Sequence, residues 1–164
     1  MIDRLAPYDP DWLEEPVGPD RIRRYVELRS EALFPIAGGE HEYTRFGAYE
    51  LLDRGAVDIL QPDTMWAGGI TELQRSITLR SVYDVPVIPH DHSVPVTTHL
   101  VAANPATVCP YVEYLDRITE LLYLFIETPV VPEDGQVSLS DTPSVGIAID
   151  DSAATARESI TFEQ

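Results

Sequence analysis

In the run AVDILQPD (Ala56–Asp63), adjacent Ile59 and Leu60 put apolar side chains on both faces of an extended chain, and a proline and an aspartate then close it. Four other short runs share that form: WLEEP (12–16), FPIAGGE (34–40), VPVIPH (85–90) and YVEYL (111–115). Strands that are apolar on both faces and rich in Val and Ile suit a parallel sheet covered on each side. Helical stretches lie between them. DRIRRYVELRSEALF (20–34) starts behind an Asp20 cap, and TRFGAYELLDRG (44–55) stops at Gly55. TELQRSITLRSVYD (71–84) opens on Thr71 and Gln74, the spacing of a capping box. Strands alternating with helices imply crossover connections, a parallel sheet and an α/β fold.

Each strand-like run ends at or near an ionisable residue: Glu14, Glu40, Asp63, His90 and Glu113, at intervals of 26, 23, 27 and 23 residues. A (β/α)8 barrel of about 250 residues allots roughly 31 residues per unit and gathers its active site from the C-terminal ends of successive strands. The rhythm therefore predicts a partial barrel, about five βα units of the eight, with five polar side chains meeting at one mouth. One strand-end carboxylate alone can be a solvated loop residue; five in register argue against that.

The chain has 164 residues, enough for one domain with a core. Its 28 acidic and 11 basic residues give a net charge of −17, and every basic residue is arginine. So acidic a surface repels nucleic acid and anionic membranes, which excludes both as partners. It also holds hydrated cations, so a salt-adapted cytoplasm is expected, although an ordinary acidic protein of skewed composition reads the same way. A single cysteine, Cys109, excludes an internal disulfide and a cysteine-based zinc site. No apolar run is long enough to span a membrane, and MIDRLAPYDP lacks the form of a signal peptide.

Glu14 and Glu40 offer hard oxygen ligands, which suit Mg2+ better than zinc. Strand alternation sends Glu15 to the opposite face from Glu14, so Glu14 is the expected ligand. Two carboxylates make a meagre Mg2+ site, so a third ligand is expected from outside these runs. Asp63 beside His90 would fix the imidazole tautomer and raise its basicity, making a general base and later a general acid. Such a histidine can instead be a core residue bonded to a carbonyl; its place after VPVIP at a strand end favours the base. His41, directly after Glu40, could reach substrate, His92 is a weaker candidate in the following loop, and Glu113 closes the row as a substrate hydrogen-bonding or salt-bridge residue. WAGGI (66–70) is flexible backbone rather than a phosphate loop, since no lysine follows it.

Together, WLEEP, GGEHEYTRFG, VDILQPDTMWAGGITEL and VIPH, followed by ANP and VEYL, resemble the C-terminal half of the enolase superfamily. The nearest pattern is the mandelate racemase subgroup and, within it, the rhamnonate-dehydratase group of acid-sugar dehydratases. The resemblance covers roughly residues 3–150. It implies Mg2+ held by Glu14 and Glu40, an Asp63–His90 acid/base dyad, Glu113 across the substrate carboxylate, and Trp66, His41 and His92 toward substrate. The implied reaction is removal of an α-proton from a sugar acid and loss of its β-hydroxyl, giving a 2-keto-3-deoxy acid. In physical terms, a carbon acid beside a carboxylate is so weak that a divalent cation must offset the accumulating charge.

Two departures follow from the same resemblance. The loop after His90 reads DHSV where the family carries small Gly or Ser residues, which leaves substrate preference open. The family's capping domain, first barrel strands and first metal-ligand aspartate have no counterpart here, so a truncated or split dehydratase is expected, inactive alone. A non-catalytic fragment or an assembly subunit that needs a missing N-terminal half is the alternative, and a racemase of the same superfamily remains open. The absence of lysine argues against the cycloisomerases and epimerases. The expected division is residues 1–115 as partial barrel, 116–150 as a segment returning to a capping domain, and 151–164 as a loose tail.

Overall fold

The short strand β1 (Leu13–Glu14), the 10-residue helix α2 (Ile22–Glu31), strand β2 (Ile36–Gly38), helix α3 (Thr44–Asp53), strand β3 (Ile59–Leu60) and helix α4 (Ile70–Leu79) follow one another along the chain. A four-residue helix α1 (Ile2–Leu5) precedes them, and α5 (Val94–Ala102) and α6 (Asp116–Leu122) follow. This is a computed structural model, and it describes residues 2–156 and 158. The strands form one parallel sheet in the order β1-β2-β3, with Leu13 opposite Ile36 and Ala37 opposite Ile59. Parallel neighbours cannot be joined by a tight turn, and α2 and α3 supply the crossovers.

Beyond β3 the sheet continues as isolated bridges. Leu60 pairs with Val87 and Asp63 with His90, both parallel, and the Val87 N–H donates to the Val108 carbonyl at 2.9 Å. The fourth position thus lies at 87–90, as expected. The strand expected over 111–115 is absent: no strand is assigned there, and the fifth position meets the sheet earlier, at Val108. Pro110 explains the shift, because it has no N–H to offer a ladder at the point where that strand would begin.

Alternation along each strand sorts the core. Ile36, Leu60 and Val87, all fully buried, face α3 and α4, where they meet Leu51, Leu73 and Ile77. Their neighbours Ala37, Ile59 and Ile88 form a second cluster on the opposite face, with Trp12 against it. Both faces are therefore apolar, as the Ile-Leu and Val-Ile pairs predict. Arg29 of α2 ties the layers together: its Nε donates to Asp58 Oδ1 at 2.7 Å, and Asp58 Oδ2 accepts from the Ile36 N–H.

Neither expected helix cap forms. The residue before α2 is Arg21 rather than Asp20, and it makes no side-chain cap. Gly69 precedes α4 with φ of +88°, so Thr71 falls inside the first turn, where its hydroxyl cannot cap. After α6, a 3-10 turn (Tyr123–Phe125) leads into a loop closed by an antiparallel bridge between Ile126 and Ile149. Asp151–Ala153 form another 3-10 turn, capped by Asp150, so the expected loose tail begins as an ordered turn; residues 157 and 159–164 lie outside the described residues. Among the described residues no helix is long and apolar enough to cross a membrane.

Candidate active site at the strand ends

The face that carries Trp12, Ile59 and Ile88 turns polar two residues later along each run. Period-two alternation places Glu14 after Trp12, Gln61 and then Asp63 after Ile59, and His90 after Ile88. Glu40 falls out of that phase, and Gly39, at φ of +124°, supplies the turn that brings it in. The result is a ring of polar groups above an apolar floor. An apolar cavity of about 460 Å3 opens near that floor between Trp12, Ile59, Ile88 and Tyr111, and the Trp12 and Tyr111 rings stack 6.4 Å apart.

His90 occupies the middle of the ring. Its Nδ1 lies 2.9 Å from a Glu40 carboxylate oxygen and 3.0 Å from a Glu113 oxygen. The nitrogen is fully enclosed and neither oxygen is aligned for a hydrogen bond, so these are close charge contacts rather than directed bonds. Burial disfavours the imidazolium, but Glu113, Glu40 and Asp63 outweigh it and push His90 up to about 9. The Glu113 Oε2 also accepts from the Asp91 N–H at 3.1 Å. Glu14 Oε2 accepts from the Gln61 amide at 2.9 Å, and one ligand atom each of Glu14, His90 and Glu113 falls within 4.8 Å of the others.

Two placements differ from expectation. The hydrogen bond expected from Asp63 to His90 is made to His92, whose Nδ1 is 2.8 Å from Asp63 Oδ2. The other oxygen of Asp63, Oδ1, accepts from the Met65 and Trp66 N–H groups at 2.7 and 2.8 Å. Asp63 and His90 are still bridge partners, but the charge of Glu40 and Glu113 holds the His90 ring while the loop folds His92 over Asp63. Glu15 is the second difference. It does not turn to the opposite face: its φ of +38° breaks the strand geometry, and its carboxylate sits 3.2 Å from His41 Nδ1. Glu15, Glu40 and His41 therefore form a second group of ligand atoms within 4.8 Å of one another. The doubled glutamate of WLEEP thus delivers both carboxylates to the same mouth.

The substrate-side candidates cluster beside it. The His41 and Trp66 rings meet edge to face at 5.7 Å, and Trp66 lies 5.8 Å from Tyr43. Sequence reasoning missed Gln61 and Asp91. Gln61 is buried, with its amide oxygen unpartnered; its position two residues before Asp63 on one strand face was the available signal. Asp91 is buried too, and burial, opposed by the Leu115 N–H, pushes its carboxyl up to about 6.

The donor set fits a hard dication. Carboxylate oxygens reach this end of the sheet in two groups, Glu14 with Glu113 beside His90 and Glu15 with Glu40 beside His41; among the described residues no group of three joins Glu14 to Glu40. Burial raises the Glu40 carboxyl; His90 opposes the rise, and Glu15 and Glu14 add to it. Crowded carboxylates of this kind are what a cation relieves.

Residues 1–153 match the family model described as enolase C-terminal domain-like. The chain belongs to that family. It is 36% identical to the L-rhamnonate dehydratase of Saccharopolyspora erythraea over 91% of this chain and 40% of that protein. It is 33% identical to the D-galactarolactone cycloisomerase of Agrobacterium fabrum over 93% of this chain and 43% of that protein. An enolase from Bradyrhizobium, solved with magnesium and mandelic acid, superposes with a TM-score of 0.83 at 29% identity, covering 93% of this chain and 40% of that one. The enolase-type chain thus spans about 40% of the length of these relatives. Relatives at this identity carry both dehydratase and cycloisomerase names.

Proposed function

We propose that this enolase-type chain carries the metal- and proton-handling half of a Mg2+-dependent acid-sugar dehydratase. The observation that carries the reading is His90 Nδ1 held within 3.0 Å of both Glu40 and Glu113 at neighbouring strand ends. Glu14 and Glu40 would hold the ion, with Glu15, grouped with Glu40, as a further oxygen donor. Bound there, Mg2+ would supply the positive charge that offsets the anion accumulating on a substrate carboxylate. Relatives and neighbours support the assignment by name: an L-rhamnonate dehydratase, and an L-talarate dehydratase solved with Mg and L-glucarate at 25% identity and a TM-score of 0.82.

The residues of the chain divide the work. His90, protonated as its two carboxylates hold it, is set to give a proton to a departing hydroxyl. When those carboxylates take other partners it becomes neutral and can accept an α-proton. Glu113, which accepts from the Asp91 N–H, fixes one wall of the site, and Trp66 with His41 covers the substrate side. Among the described residues β1 has a strand neighbour on one side only, so an N-terminal barrel half is the partner this reading needs.

The test is formation of a 2-keto-3-deoxy acid from a panel of aldonates and aldarates with Mg2+. The chain is assayed alone and mixed with a polypeptide matching the remaining length of a relative. Product in the mixture, lost in His90→Asn, is the expected result. α-Proton exchange with D2O and no dehydration in any mixture would replace this reading with a racemase.

A further inference from the structure

We propose that Asp63, His90 and His92 form a second cation site, selective for a borderline transition-metal dication such as Zn2+ or Co2+. One ligand atom from each of the three lies within 4.8 Å of the other two. Two imidazoles and one carboxylate are a nitrogen-rich set, unlike the Glu15, Glu40 and His41 group with its two carboxylates, and such a set prefers Zn2+ or Co2+ over Mg2+.

The local geometry is already that of a ligand shell. Asp63 is fully buried, and its Oδ1 is pinned by the Met65 and Trp66 N–H groups, which leaves Oδ2 presented in one direction. Outer hydrogen bonds of this kind orient a metal-binding carboxylate. His92 Nδ1 stands 2.8 Å from that oxygen, and the His90 and His92 rings are 4.7 Å apart at 82°. A tetrahedral ion with bonds of about 2.0–2.2 Å separates its ligand atoms by roughly 3.3 Å, a short step from this spacing. His90 Nδ1 makes no directed hydrogen bond but lies 2.9 and 3.0 Å from the Glu40 and Glu113 carboxylates, so an ion here competes with two charge contacts for that ring. His92 is about one-third exposed, which gives the ion an entry path and leaves a fourth position for water. If the dehydratase reading holds, an ion there also occupies the acid/base histidine, so Zn2+ would inhibit.

The experiment titrates Co2+ into the full chain in excess Mg2+ and reads visible absorption. One equivalent should bind with the d–d bands of a low-coordinate, nitrogen-bearing site, and Zn2+ should abolish them. His92→Asn should weaken binding by at least about tenfold, and His99→Asn, on α5 and in none of the ligand groups, should leave it unchanged. Two hyperfine-shifted imidazole N–H resonances in the Co2+-loaded chain provide the check should the variant fail to fold. Equal binding in His92→Asn, loss in His99→Asn, fewer than two such resonances, or displacement by Mg2+ overturns the proposal. Failure of the chain to bind Mg2+ would count against the dehydratase reading while leaving the Co2+ result intact.

Discussion

Between Leu13 and Pro110 the chain buries Ile36, Leu60, Leu73 and Val87 completely on the helix side of one sheet and Ala37 completely on its other face. After Leu115, among the described residues, only Thr119 and Gly146 are buried, while Leu121, Leu124, Phe125, Val131 and Ile149 are exposed. Both regions are rich in apolar residues. The difference lies in layering: parallel strands with helices across one face exclude water from both sides of each side chain, whereas a helix, a turn and a closed loop have one side only. The earlier region carries its own core, and the later one carries a surface. Asp91 is the seam between them, since its carboxylate accepts the Leu115 N–H just ahead of α6.

The largest expected effect is in the core. Leu73→Ala should cost about 2–5 kcal/mol by urea unfolding, and a loss near zero would break the comparison at its strong end. Next is the seam. The Asp91 carboxyl stands at about 6, chiefly through burial, above its unfolded value. Its favourable contribution is therefore complete below about pH 4 and is lost as pH rises through about 6. Asp91→Asn should raise stability at pH 7 by about 1–3 kcal/mol and change little at pH 4; urea midpoints at the two pH values measure the difference. Tyr25→Phe removes the hydroxyl's bond to the Val17 carbonyl at 3.1 Å and should cost about 0.5–1.5 kcal/mol. Smallest is Leu124→Ala, 57% exposed, within about 0.5 kcal/mol. A cost matching that of Leu73→Ala would show the later region to be packed after all.

Much of the first region was legible because it repeats. Ile59–Leu60 and Val87–Ile88 disclosed a sheet apolar on both faces, and the helices α2, α3 and α4 lie inside the expected spans apart from a one-residue extension of α4 to Ile70. The polar row was legible for the same reason, as alternation carries Glu14, Asp63 and His90 to one face. Period could not foresee where it stops. Glu15 was assigned to the opposite face by a rule that holds only while the strand lasts, and φ of +38° ends it there. The partner of Asp63 was misjudged because the choice between His90 and His92 depends on carboxylates arriving from Glu40 and Glu113, far away in sequence. YVEYL has strand composition, yet Pro110 denies it the pairing.

Gly38 is tightly backed: a carbon added there would stand 3.1 Å from the Tyr25 ring, which would have to give by a few tenths of an ångström. That ring reaches from the back of the sheet to the bend after WLEEP, so it works as a rigid strut between α2 and the two glutamates. A single methyl group at Gly38, out of sight of the mouth, would therefore be felt as a shift in where Glu14 and Glu15 hold their charge.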